Sequence, residues 1–149
     1  MKLSTRGRYG LRAMIDMVQC NDQGPIPTRT IAKRQDISER YLEQLMVPLK
    51  RAGLVKSVRG SQGGYILSKS PDKITAGDII RVLEGPIAPV ECVNETNPEA
   101  CDRADYCVTR VLWSKVRDSI TEVLDSYTLT ELAQVSQKLP PAESFVYKI

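Results

Sequence analysis

Three cysteines carry the most distinctive chemistry in this sequence. Cys92, Cys101 and Cys107 fall within sixteen residues, spaced C-x8-C-x5-C. Thiolates are soft ligands, so three on one loop suit a soft metal or an iron–sulfur cluster with a fourth ligand from elsewhere. The spacing does not suit a zinc ribbon, which uses paired C-x2-C units. Three unremarkable thiols are the plain alternative. Cys20 stands apart and reads as a core or surface thiol. The chain contains no histidine, which removes Ser–His and Cys–His nucleophiles and every histidine metal ligand. A thiol enzyme would need a thiolate activated another way, for instance at a helix N-terminus near Cys107. The chain is read instead as a non-enzyme.

A second chemistry lies in residues 37–67. The stretch from Ser38 to Ala52 predicts a helix with Leu42, Leu45, Met46 and Leu49 inward and Ser38 as N-cap. Its outer face carries Arg40, Tyr41, Glu43 and Gln44. Two short apolar runs follow, Leu54 to Val58 and Tyr65 to Leu67, joined by Arg59-Gly60-Ser61-Gln62-Gly63-Gly64. A helix followed by a glycine-tipped hairpin is the outline of a winged helix-turn-helix. Arg pairs with guanine, Gln with adenine and Ser with either, so this outer face has the side chains to read base edges. Glu43 is an acid on a face meant for phosphate and bases; it would accept from cytosine or repel wrong sites. Arg59, beside Gly60, is placed to reach a minor groove or a phosphate. A solvated charged helix beside a plain hairpin is the bland reading.

These residues need elements to position them. Ser4 or Thr5 can cap a first helix near Arg6, with Leu11, Met14, Ile15 and Val18 on one buried face. Thr28 can cap a short helix over 29–35 that buries Ile31 and Ala32, and Asp36-Ile37-Ser38 makes the turn. Pro48 should kink the next helix, and Gly53 ends it. Gly63-Gly64 offers the positive dihedrals of a tight hairpin. Thr75 caps a helix to Glu84 that buries Ile79, Ile80 and Leu83, and residues 87–102 read as loop. The longest periodic run is Ala104 to Tyr127, with Val108, Val111, Leu112, Val116, Ile120, Val123, Leu124 and Tyr127 apolar. Little else in 149 residues can cover that stripe, so pairing with a second copy is expected. A last short helix spans 130–135, before Pro140-Pro141.

Charge divides the chain. Net charge is only +3, but residues 1–70 hold thirteen basic and five acidic side chains, whereas 71–149 hold eight and thirteen. The basic half is the half with the helix-turn-helix pattern, and a basic face attracts nucleic acid. The expected organisation is a winged helix-turn-helix over 1–70, a connecting helix and cysteine loop over 71–102, and a dimerisation helix and tail over 103–149. The class is mainly α. No apolar run resembles a signal or membrane span, so a cytoplasmic location is expected.

Several segments then resemble one family. MKLSTRGRYGLRAM, ISERYLEQLMVPLKRAGLVKSVRGSQGGYILS, ITAGDIIRVLEGPIAPVE and the three cysteines before Leu112-Trp113 resemble the IscR/CymR/NsrR superfamily of bacterial transcriptional regulators. The resemblance implies a winged-helix homodimer that binds near-palindromic operators, mainly as a repressor. The IscR type holds an iron–sulfur cluster, commonly 2Fe–2S, on three loop cysteines and reports cluster supply, with iron–sulfur assembly proteins as cluster donors. The CymR type lacks those cysteines and controls cysteine metabolism; the NsrR type detects nitric oxide. Carried over, the resemblance makes Cys92, Cys101 and Cys107 cluster ligands. It places Ser4, Thr5, Arg8 and Tyr9 on DNA backbone. The helix-turn-helix and wing residues would be Thr28, Ser38, Arg40, Tyr41, Glu43, Gln44, Arg59, Gly60 and Ser61. Two departures stand out. The gap between the first two cysteines is longer than in the best-known IscR proteins. The histidine ligand three residues after the last cysteine is Arg110 here, and Arg8 replaces the NsrR carboxylate. An oxygen ligand is left, with Glu91, Asp102, Asp105, Thr109 and Glu43 as candidates, or else an incomplete site open to solvent.

Overall fold

The structure is a computed structural model that describes residues 2–96, 98 and 101–140. Its α-helices are α1 (Thr5–Gln19), α2 (Thr28–Gln35), α3 (Glu39–Arg51), α4 (Ala76–Glu84), α5 (Val108–Ser126) and α6 (Leu129–Lys138). The strands β1 (Val55–Val58) and β2 (Gly64–Leu67) pair antiparallel, with Val55 opposite Leu67 and Val58 opposite Gly64. This is a mainly helical chain with a winged helix-turn-helix at its centre. Among the described residues no helix is long and apolar enough to cross a membrane.

The core forms under α3. Leu42, Leu45, Met46 and Leu49 are wholly buried, as their i, i+3, i+4, i+7 spacing predicts. Ser38 caps the helix, its hydroxyl accepting from the Tyr41 N–H at 3.1 Å. The turn before it places Asp36 in the left-handed region (φ 54°), which a short polar side chain tolerates. The helix runs through Pro48 as one element. Truncating one of these inner side chains removes roughly 2–5 kcal/mol, a large part of a small domain's stability.

Helix α1 lies against α2, α3, α4 and α6. Its buried face is rotated from the expected one. Gly7, Gly10, Ala13, Met14 and Met17 are buried, while Leu11, Ile15 and Val18 are only partly so. Small residues create that face by admitting a neighbour closely. A Cβ at Gly10 would lie 2.0 Å from Leu83 Cδ1, and one at Gly7 2.4 Å from Glu84 Oε1, both on α4.

The wing is tied to the loop before α2. Ile26 and Tyr65 exchange both backbone hydrogen bonds at 2.9 Å. Gly60 (φ 114°) and Gly64 (φ 154°) take the positive dihedrals; Gly63 does not, against expectation. Gly63 is instead needed for space, because its Cβ would stand 2.2 Å from the Val58 carbonyl oxygen.

The cysteine segment and the long helix differ from the sequence reading. A 3₁₀ turn occupies Glu91–Val93. Helix α5 begins at Val108 rather than Ala104, because the preceding residues make i→i+3 turns, Ala104 N–H to Cys101 O and Tyr106 N–H to Arg103 O. Cys107 becomes its N-cap residue. Helix α6 starts before Thr130 and outlasts Val135. Thr128 and Glu131 form a reciprocal capping box at its start, and Leu129 is wholly buried. Of the Pro140-Pro141 pair, Pro141 lies outside the described residues.

Gly64 offers a direct test of wing anchoring. Its Cβ would sit 2.1 Å from the Ile26 carbonyl oxygen, so Gly64→Ala strains a backbone contact that has no flexible end. The expected loss is roughly 1–3 kcal/mol, read as a lower urea midpoint at unchanged slope. An unchanged midpoint would mean the Ile26–Tyr65 bridge does not anchor the wing.

Candidate nucleic-acid interface and thiol loop

The outer face of α3 stays open while its inner face is closed. Ser38, Arg40, Glu43 and Gln44 are exposed and Tyr41 is half-buried. Arg59, Gly60 and Ser61 are exposed at the hairpin tip, joined by the Gly63 N–H to Gly60 carbonyl bond. Thr5 and Arg8 are exposed at the start of α1, and Tyr9 is half-buried. The Tyr9 ring meets Tyr41 edge-on, with centroids 6.1 Å apart, and Arg12 stacks 5.0 Å above Tyr9. Arg12 Nε also donates to Gln35 Oε1. Helices α1, α2 and α3 thus share one side-chain cluster.

Glu43 has a specific place in this face. Its Oε1 accepts from Thr28 Oγ1 at 2.9 Å and its Oε2 from the Tyr65 hydroxyl at 2.7 Å. One carboxylate therefore ties the start of α2, the middle of α3 and strand β2. Burial, followed by the Glu43 hydrogen bond and charge, pushes the Tyr65 phenol up to about 12. Each oxygen already accepts an internal bond, which leaves it less free for a base edge or a metal than sequence spacing suggested.

Ser4 does not cap α1 with its side chain. Glu84, the last residue of α4, does so instead. Its Oε1 accepts from the Ser4 N–H at 3.0 Å, the Gly7 N–H at 2.9 Å and the Ser4 hydroxyl. Ser4, expected on DNA backbone, has its donors turned inward. Sequence reading missed Glu84, Tyr65 and Gln35. Gly7 and Gly10, three apart on α1, were the available signal for a close neighbour.

Two ion pairs fix the helices around this face. Asp16, 8% exposed, accepts from Arg34 Nε and Nη2. The Asp16 hydrogen bond, outweighing desolvation, raises the Arg34 pKa. Removing Arg34 would leave a buried carboxylate uncompensated, which costs more than the pair contributes. Arg81 and Asp125 form a bidentate pair between α4 and α5. Their mutual hydrogen bond raises the arginine and lowers the carboxylate pKa. Both are well exposed, so its net value is about 0–1 kcal/mol.

In the thiol loop, Cys92 and Cys107 are half-buried and Cys101 is exposed. Among the described residues no group of three or more cysteine, aspartate, glutamate or histidine side chains comes together to hold a metal. Cys107 Sγ sits 3.1 Å from Thr109 Oγ1. That hydrogen bond, then the Arg110 N–H, lower the thiol pKa. Arg110 itself donates from Nη1 to the Ala104 carbonyl at 3.5 Å and lines, with Cys107, Val111 and Ser114, a shallow cavity of about 260 Å³. The donor types suit an iron–sulfur cluster, but the arrangement does not fit one. Among the described residues the three thiols are not gathered into one ligand group, Thr109 bonds Cys107, and Arg110 cannot ligate. Arg117 of α5 holds the loop from behind, donating from Nη1 to the Val93 carbonyl at 2.8 Å.

Helix α5 has no buried residue. Val108 is 82% exposed, Val111 61% and Leu112 52%. An amphipathic helix that leaves this much apolar surface in water marks an interaction face.

Comparison with known proteins places these features. The Rrf2 family model, described as an iron-dependent transcriptional regulator, matches residues 3–135. The chain is 53% identical over 133 residues to the HTH-type transcriptional regulator CymR of Bacillus subtilis, covering 89% of this chain and 90% of that protein. The solved structure of that regulator, described as the global cysteine regulator, matches with a TM-score of 0.76 over 91% of this chain and 98% of the other. The HTH-type transcriptional regulator IscR of Pectobacterium carotovorum is 39% identical over 143 residues, 96% of this chain and 85% of that protein. The structure of T. potens IscR is 44% identical with a TM-score of 0.75, covering 97% and 96% of the two chains.

The Glu43–Tyr65 bond makes a pH prediction. Unfolded tyrosines titrate near 10, and the folded phenol is held neutral to about 12. The phenol's contribution to stability is therefore complete below pH 10 and is lost as pH rises toward 12. Ultraviolet titration should show one late tyrosine, and Glu43→Gln should move it down. A phenol that stays late in Glu43→Gln would assign the shift to burial alone.

Proposed function

The chain belongs to the Rrf2 family of transcriptional regulators, and from that premise we propose that it is a DNA-binding regulator, mainly a repressor, that reads near-palindromic operators as a homodimer. The observation that carries this reading is the divided α3. Four side chains of its inner face are buried in the core, while Ser38, Arg40 and Gln44 are left exposed beside a basic wing. A helix so placed enters the major groove by its N-terminal end. The uncovered apolar residues of α5 support pairing with a second copy, since a two-fold dimer would bury them and set two reading helices on one operator.

The three thiols are the proposed input. The first reading follows the IscR relatives: Cys92, Cys101 and Cys107 hold a 2Fe–2S cluster delivered by assembly proteins, and occupancy reports iron–sulfur status. Because the three thiols are not gathered among the described residues, that reading requires cluster binding to bring them together. The second reading follows the CymR relative, with control of sulfur metabolism and no cluster. The 53% identity to that regulator and the Thr109 and Arg110 bonds to Cys107 support it.

Anaerobic reconstitution separates the two. A coloured, EPR-active protein whose signal is lost in Cys92→Ala supports the cluster; wild type that stays colourless under the same treatment eliminates it. DNA contact is tested at the wing. Arg59→Ala should weaken operator binding by roughly 1–3 kcal/mol if it makes a groove contact. Unchanged affinity and salt slope would take Arg59 off the interface.

A further inference from the structure

Glu84 lies on α4, outside the helix-turn-helix and outside the cysteine loop. Yet its Oε1 receives three donors from the first turn of α1: the Ser4 N–H, the Ser4 hydroxyl and the Gly7 N–H. A helix's first N–H groups have no partner within the helix and carry partial positive charge, so they take an anion. Here that anion comes from another helix, and Gly7 makes the approach possible, since any Cβ there would meet the carboxylate. The same α4 is clasped to α5 by Arg81 and Asp125, on a turn where Gly77 gives room to Asp125 Oδ1. One helix of nine residues thus holds the start of α1 at its C-terminal end and the long helix through Arg81.

We propose that Glu84 is a positioning residue for DNA binding. By capping α1 from α4, it fixes where Thr5, Arg8 and Tyr9 stand relative to the reading helix. It also occupies the α1 N-terminus, so that phosphate does not bind there. The pose of the α1 face is then set by α4, the helix that also contacts α5. This rests on the DNA-binding reading above.

The test uses three full-length variants and a duplex selected from a random pool by the wild-type protein. Glu84→Ala removes the acceptor. Glu84→Gln keeps an acceptor oxygen without the charge. Gly7→Ala displaces the carboxylate, a flexible side-chain end, while giving α1 a better helix former. Fluorescence anisotropy measures affinity, and amide hydrogen exchange over residues 4–10 measures the cap. Glu84→Ala and Gly7→Ala should each weaken binding by about tenfold and speed exchange, and Glu84→Gln should recover binding to within about threefold of wild type. Gly7→Ala separates positioning from plain helix stability, because its intrinsic effect on the helix is favourable. If Glu84→Ala fails to fold, Gly7→Ala decides the matter. Binding as tight as wild type or tighter in Gly7→Ala, or in a folded Glu84→Ala, overturns the proposal. If the wild-type protein selects no duplex at all, the DNA-binding reading fails, while amide exchange still reports whether Glu84 caps α1.

Discussion

Helix α1 touches nearly every other helix of the fold, and it can do so because Gly7 and Gly10 present no side chains to α4. Leu83 and Glu84 fill that space. The close approach has two consequences of different kinds. Leu83 adds apolar burial to the core. Glu84 supplies a carboxylate to a helix start whose own N-cap serine makes no cap bond. A larger residue at Gly7 would displace the Glu84 carboxylate and one at Gly10 would displace Leu83, loosening what fixes the α1 face relative to α3. Core packing and the electrostatics of a helix terminus therefore meet at one contact.

A second carboxylate does related work on α3. Glu43 joins Thr28, its own helix α3 and Tyr65 of the wing. An exposed salt bridge would be worth little there. Two neutral hydroxyls donating to a carboxylate give charge-assisted bonds, and one donor is on a buried tyrosine. The wing and the helix-turn-helix are held in one geometry by this acid as well as by the Ile26–Tyr65 backbone bridge. An acid on a basic face is thus accounted for by its partners inside the molecule.

In the thiol loop, Arg117 and the 3₁₀ turn fix one end, and the α5 N-cap fixes Cys107 at the other. Among the described residues the three thiols are not gathered, and the helix that follows leaves Val108, Val111, Leu112 and Val123 exposed while Val116, Ile120 and Leu124 are half-buried.

The sequence by itself determined the local elements. The α3 stripe, the Asp36-Ile37-Ser38 turn, the Thr75 cap and the two wing strands could all be read from spacing, because each depends on residues within one or two turns of one another. The Thr128–Glu131 capping box is equally local, and it starts α6 earlier than the apolar spacing implies. The start of α5 was misplaced because apolar spacing continues into a segment whose backbone bonds follow a turn. What only the tertiary structure decided were pairings across long separations: Glu84 with Ser4 and Gly7, Glu43 with Tyr65, and Arg81 with Asp125. It also decided the buried face of α1, where Gly7 and Gly10 admit α4 beside the buried Ala13, Met14 and Met17. The physical reason is the same in each case. A carboxylate has one chemistry in sequence and several in space, and its role is set by which donors the fold brings within three ångströms of it.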